Sequence, residues 1–318
     1  MVLYDFNALL NFPRFGIQIP ALSSRKIRTL EALKNHPQLG PLQGRWLVDS
    51  YEDIFTLEDL TRVHGEEYAR GFFDKRAAEQ LKTVYELVNP DGSFNRWNPE
   101  DAEMPLEKMV PSILRMTAGT YRGARIALDK GFCHFLGGGT HHAHRDFGHG
   151  FCPVNDTALT LRRLQAEGAL KRAWVIDVDA HKGDGTAALF HGDDSVFTLS
   201  AHMARGWPLD GSLPTSHPSW IPSDIDVPVD SGEEGLYLER LEKALHAMKS
   251  CSSAGLAVVL AGVDPWEGDA LPSTALLKLS MEQLNERDWR IHTAFLEWAL
   301  TRRLGIGAES RRPKAPGE

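Results

Sequence analysis

The 318-residue chain is short of several things, and each shortage closes off a class of protein. Cysteine occurs only three times, at Cys133, Cys152 and Cys251. The number is odd and the spacing is not that of a metal finger, so a disulfide framework is not expected and a reducing compartment is. No apolar run approaches the roughly 20 residues of a membrane-spanning helix. The opening MVLYDFNALLNFPRF has no basic segment followed by an apolar one, so neither a secretory leader nor a membrane partner is expected. Lys and Arg number 35 against 43 Asp and Glu, a net charge of −8 with no long basic block. Binding nucleic acid directly by neutralising its phosphates is therefore not expected. Internal repeats and low-complexity segments are missing too. These exclusions leave a cytoplasmic globular protein long enough to bury a sizeable core.

What is present is an alternation of short apolar runs with helical stretches. The runs are FCHFLGGG (132–139), AWVIDVD (173–179), SVFTLSAH (195–202) and LAVVLAGVD (256–264). Each is apolar throughout, the pattern of a strand covered on both faces. Helical patterns near 154–167, 184–191 and 234–250 separate them, after a polar helix over 23–35 and a long one over 106–129. This order predicts one α/β domain with a mainly parallel sheet flanked by helices. The Pro-rich stretch 208–228 reads as an irregular excursion.

In such sheets ligands bind beyond the carboxyl ends of the strands, and the polar residues gather there. In DVDAHKGDG, Asp177, Asp179 and His181 share one face, because strand side chains alternate. An isolated Asp-x-Asp is often only a turn or a helix cap. With His181 beside it and Asp264 at another strand end, Asp179, His181 and Asp264 make a better set of metal ligands. Two carboxylates, one imidazole and an open position suit Zn2+, with Fe2+ or Mn2+ as competitors. The stretch GGGTHHAHRDFGHGFCPVND (137–156) crowds four histidines into a glycine-loosened loop. His141 and His142 can both reach one cavity there, as general base and general acid beside a metal-bound water. Asp177 and Asp184 would orient the two imidazoles. His144 and His149 read as incidental loop positions.

Taken together, GGGTHHA…GHGFCPVND, VIDVDAHKGDGT, LSAH and AGVDPWEGDAL resemble the zinc-dependent histone deacetylase family, most of all its class IV-type and bacterial members. The likeness runs from about residue 11 to about residue 290. It implies an arginase/deacetylase fold and hydrolysis of an N-acyl amide, typically on a protein lysine; an acetylated small amine such as a polyamine is the neighbouring substrate. It also implies that Gly150, Phe151, Trp207 and Leu271 form a tunnel around the acyl-lysine stem, although Phe151 and Trp207 would serve equally as plain core. Structural K+ is implied near the backbone of Asp177, Asp179, His181 and Ser200.

The chain departs from the family at its end. The family's final strand leads into a glycine-rich turn and a tyrosine that holds the carbonyl oxygen in the transition state. Here no tyrosine follows Tyr237, and the end reads EWALTRRLGIGAESRRPKAPGE. The last strand is accordingly expected to be missing, with a domain over 1–300 and a disordered or aberrant tail over 301–318, the mark of a truncated or frame-shifted end. A deacylase and a catalytically deficient relative that still binds zinc and acyl-lysine both fit these residues. The acid that grips the substrate backbone in many members has one candidate, Asp101.

Overall fold

Ala173–Asp177 is buried at every residue, and its alternate side chains enter opposite layers. Ala173 and Val175 join an apolar cluster on one side, while Trp174 and Ile176 join another. The computed structural model describes residues 1–19, 23–269, 271–300 and 302–307. Its strands are β1 (Val2–Leu3), β2 (Leu47–Val48), β3 (Phe132–Phe135), β4 (Ala173–Asp177), β5 (Val196–Met203), β6 (Ile225–Val229), β7 (Leu256–Leu260) and β8 (Arg303–Ile306). They form one sheet in the order β2-β1-β3-β8-β7-β4-β5-β6, and every neighbouring pair is parallel.

Six helices matter to the argument: α1 (Ser23–Asn35), α2 (Val110–Lys130), α3 (Asp156–Ala166), α4 (Asp184–Phe190), α5 (Tyr237–Cys251) and α6 (Met281–Glu297). The buried faces of α2 and α3 cover one side of the sheet, and those of α5 and α6 the other. The one proline of α2, Pro111, sits in its first turn, where no intrahelical N–H bond is lost, so the helix runs on unbroken for 21 residues. Truncating a side chain as enclosed as Ile176 (0% exposed) to alanine would cost about 2–5 kcal/mol. Among the described residues, no helix is long and apolar enough to cross a membrane.

Two expectations are corrected here. The last strand is present: Arg303–Ile306 lies between β3 and β7 and pairs with both. Leu304 and Ile306 are fully buried in the layer of α2 and α3. Four strand residues flanked by Arg302 and a polar end do not stand out when composition is averaged over the whole stretch. The tail assigned to 301–318 thus supplies a central strand; residue 301 and residues 308–318 lie outside the described residues. The excursion over 208–228 also runs into a strand, β6, at the sheet edge. Pro228 is tolerated within it because an edge strand has one side on which no ladder bond is needed.

Candidate active site

The loop after β3 is pinned from below by Asp156, the first residue of α3. Its carboxylate accepts from the N–H groups of Gly139 and Thr140 (both 2.9 Å) and from the hydroxyls of Thr120 (2.6 Å) and Thr140 (2.9 Å). Gly138 has φ +74°, and a Cβ there would stand 2.5 Å from both the Asp156 carboxylate and the Thr120 hydroxyl, so only glycine lets the chain pass. Asn155 caps α3 by accepting from the Ala158 N–H at 2.9 Å. Asn-Asp at a helix start is a readable cap signal, but its role in holding the histidine loop is visible only in three dimensions.

Beyond β4 and β7, Asp179, His181 and Asp264 converge. His181 Nδ1 lies 3.1 Å from Asp179 Oδ1 and 3.1 Å from Asp264 Oδ2, and one donor atom from each of the three lies within 4.8 Å of the others. Nδ1 is therefore the nitrogen that faces both carboxylates; Nε2 is engaged by Ser273 Oγ at 3.0 Å, which fixes the ring. All three residues are buried. Burial alone would keep His181 neutral, yet the two carboxylates raise its pKa to about 10. Burial, then Asp179, pushes Asp264 up. Two buried carboxylates facing one imidazole leave excess negative charge, which a divalent cation would balance. The donor set fits such an ion.

The adjacent imidazoles of His141 and His142 have centroids 4.0 Å apart. His141 Nδ1 donates to Asp177 Oδ2 and His142 Nδ1 to Asp184 Oδ1, each at 2.6 Å. The expected pairing of two histidines with two aspartates is thus formed in space. The two rings differ in charge. Burial opposes a proton on His141, but Asp177 outweighs it and raises the pKa to about 9. Burial, then the neighbouring His141, holds His142 well below the usual histidine range. His144 and His149 are not incidental. Asp184 Oδ2 accepts from His144 Nε2 at 3.1 Å, from His149 Nε2 at 3.0 Å and from the Ser219 hydroxyl. Burial would raise Asp184, yet His142 and its other donors hold it well below the usual carboxylate range.

His141, His142, Asp179, His181 and Asp264 floor a cavity of about 490 Å3, and Gly150, Phe151, Trp207 and Leu271 all line it. Gly150 has φ +55°, and a Cβ would come within 2.5 Å of the Trp207 ring and 2.7 Å of His142. Phe151 stacks on Tyr85 with centroids 6.5 Å apart, and the Arg96 guanidinium sits 5.4 Å above it. Leu10, Phe12 and Met116, which carried no motif, extend the lining. Asp101 does not reach the cavity: it is exposed and accepts from Asn98 Nδ2 at 2.7 Å. Apart from the groups on the floor, the charged residues lining the cavity are Glu86, Arg96 and Asp210. Ser200 pairs with Asp177 across β4 and β5, and its Oγ accepts from Gly183 N–H at 3.3 Å.

Comparison with known proteins bears on the family and the fold. The family model described as "Histone deacetylase domain" matches residues 20–304. Histone deacetylase 2 of Arabidopsis thaliana is 27% identical over 233 residues, 73% of this chain and 56% of that protein. The acetoin utilization protein AcuC of Staphylococcus aureus is 45% identical over 205 residues, 63% of this chain and 48% of its own. The chain thus spans about half the length of these curated relatives. An HDAC homologue from Aquifex aeolicus superposes with a TM-score of 0.68 over 96% of this chain and 78% of that one, at 23% identity. That likeness establishes the fold, the open parallel arrangement of the arginase/deacetylase type. With the family model covering most of its length, this chain belongs to the histone deacetylase family.

Proposed function

We propose that the chain hydrolyses N-acyl amides on lysine side chains, with Asp179, His181 and Asp264 holding a zinc ion. The observation that carries this reading is the convergence of those three buried donors with His141 and His142, each backed by an aspartate, on the floor of one cavity walled by Phe151, Trp207 and Leu271. When bound, zinc, or iron or manganese in its place, supplies a Lewis acid that polarises an amide carbonyl and makes a water acidic near neutrality. Within the protein, His142 is the neutral imidazole and serves as the base that takes the water's proton. Asp184 holds His142 Nδ1–H and leaves Nε2 for that task. His141 keeps its proton at neutral pH because of Asp177, and serves as the acid for the leaving amine. Gly150, Phe151, Trp207 and Leu271 would exclude water from the aliphatic stem of an acyl-lysine, and an acetylated polyamine would suit the same walls. The protein is read as cytoplasmic, with structural K+ near Asp177, Asp179, His181 and Ser200.

A second reading, a member that binds zinc and acyl-lysine without turnover, is favoured by one observation: no tyrosine follows Tyr237 in the sequence. Loss of one preorganised oxyanion donor costs about 10²–10³ in turnover. Hydrolysis of acetyl-lysine peptides, long-chain acyl-lysine peptides and acetylpolyamine by the metal-stripped and zinc-loaded chain separates the two. Zinc-dependent turnover that is lost in Asp179→Ala supports the deacylase. Stoichiometric zinc binding without turnover supports the binding protein, and absence of zinc binding overturns the ligand assignment.

A further inference from the structure

Helix α6 carries an apolar stripe at Leu284, Ile291 and Phe295, and one charged residue, Arg287, lies on that same buried stripe. Its relative exposure is 0%. A guanidinium taken wholly out of water is costly unless its N–H groups find acceptors. Here Nη1 and Nε find an informative set. Nη1 donates to the carbonyl of Val178 at 3.0 Å and to that of Gly262 at 2.8 Å, while Nε donates to Asp288 Oδ1 at 2.8 Å.

Those two carbonyls lie just past the ends of β4 and β7. Val178 stands between Asp177 and Asp179; Gly262 is two residues before Asp264. The N–H of Val178 still joins the sheet through Leu260, but the ladder between the two strands stops there. A single nitrogen therefore spans the two segments where the sheet no longer holds them together. Asp179 comes from one segment and Asp264 from the other, and the spacing of their carboxylates decides how well they share an ion. The room between them is small, since a Cβ on Gly262 would stand 2.9 Å from Asp179 Cα. Arg287 is not among the residues lining the cavity, so it does not touch substrate.

We infer that Arg287 is a positioning residue for the metal site, bridging the backbones of the Asp179 and Asp264 segments so that the two carboxylates are set for one divalent ion. This rests on reading Asp179, His181 and Asp264 as the ligands. Replacing a partner that orients metal ligands typically lowers affinity about 10–100-fold.

The test measures zinc affinity by competition with a chelator of known strength, alongside thermal unfolding of the zinc-free protein. Both are done on the full chain as wild type, Arg287→Lys, Arg287→Met and Asp288→Asn. Arg287→Lys keeps the charge but lacks the planar fork; it is expected to weaken zinc binding about tenfold or more, and Arg287→Met further, towards 100-fold. Asp288→Asn removes only the carboxylate that steadies Nε and is expected to give a smaller loss. Where Arg287→Met fails to fold, the other two variants decide. A lowered zinc-free melting temperature with wild-type zinc affinity in Arg287→Lys and Asp288→Asn would make Arg287 an ordinary core residue and overturn the proposal. Absence of zinc binding by the wild type would overturn the ligand reading beneath it, which is a different result.

Discussion

Two clusters of the same residue types, buried but for the half-buried His149, lie side by side beneath one cavity, and they behave as opposites. Asp179, His181 and Asp264 set two carboxylates against one imidazole, whereas Asp184 faces His142, His144, His149 and the Ser219 hydroxyl. By distance alone both look like metal sites, since His142, His149 and Asp184 also bring donor atoms within 4.8 Å of one another. Charge and protons separate them. The first cluster has too many acceptors: burial would keep its imidazole neutral, yet the two carboxylates raise its pKa to about 10. The second is proton-rich and closes on itself through hydrogen bonds. Close donor spacing thus does not choose between the two clusters; the unbalanced charge of the first is what favours it as the proposed ligand set.

Asp264→Asn is the sharpest way to break this contrast. It should lower zinc affinity roughly 100-fold or more, beyond the 10–100-fold typical of outer partners, as read by chelator competition. Asp184→Asn should act on the other axis. Its amide offers one acceptor oxygen where three imidazoles and a hydroxyl converge, so His142 loses its orientation. Zinc affinity should stay within a few-fold of wild type, while zinc-loaded turnover falls about 10²–10⁴-fold, the worth of a positioned general base. Loss of zinc in Asp184→Asn with retention in Asp264→Asn would exchange the roles of the two clusters.

How far the site could be read beforehand follows the same division. The spacing of Asp177, Asp179 and His181 reads as one face of an extended strand, but β4 ends at Asp177. The N–H groups of Asp179 and His181 instead bond the carboxylates two residues earlier, so a local motif brings them together by turns and not by strand alternation. The links of His144 and His149 to Asp184 span 40 and 35 residues and carry no spacing rule. They exist because α4 presents Asp184 beneath the loop, a tertiary fact. Strand β8 was hidden by its length and its charged flanks. Arg287 did leave a signal, a charge at an apolar-stripe position of α6, but that pattern says only that a partner must exist, not that it is the backbone beside the two ligands. Asp101 failed for the converse reason: its loop position was plausible, while its neighbours hold it at the surface.

A histidine in neither cluster provides the mildest test. His64 is 1% exposed; its Nδ1 donates to the His144 carbonyl at 2.8 Å and its Nε2 accepts from the Asn155 N–H at 3.1 Å. Only the neutral ring can make both bonds, so it ties the histidine loop to the cap of α3 without carrying charge. Burial lowers its pKa from 6.5 to about 4, against the weaker opposing effect of the His144 carbonyl. Between those values the unfolded chain binds a proton that the folded chain refuses, so stability is full above about pH 6.5 and declines as pH falls towards 4. The slope from this residue is about 1.4 kcal/mol per pH unit. Urea unfolding at pH 7 and pH 5 should show stability falling with acid, and His64→Phe, though less stable at pH 7, should lose that part of the slope. An unchanged slope in the variant would place the acid sensitivity in the clusters instead.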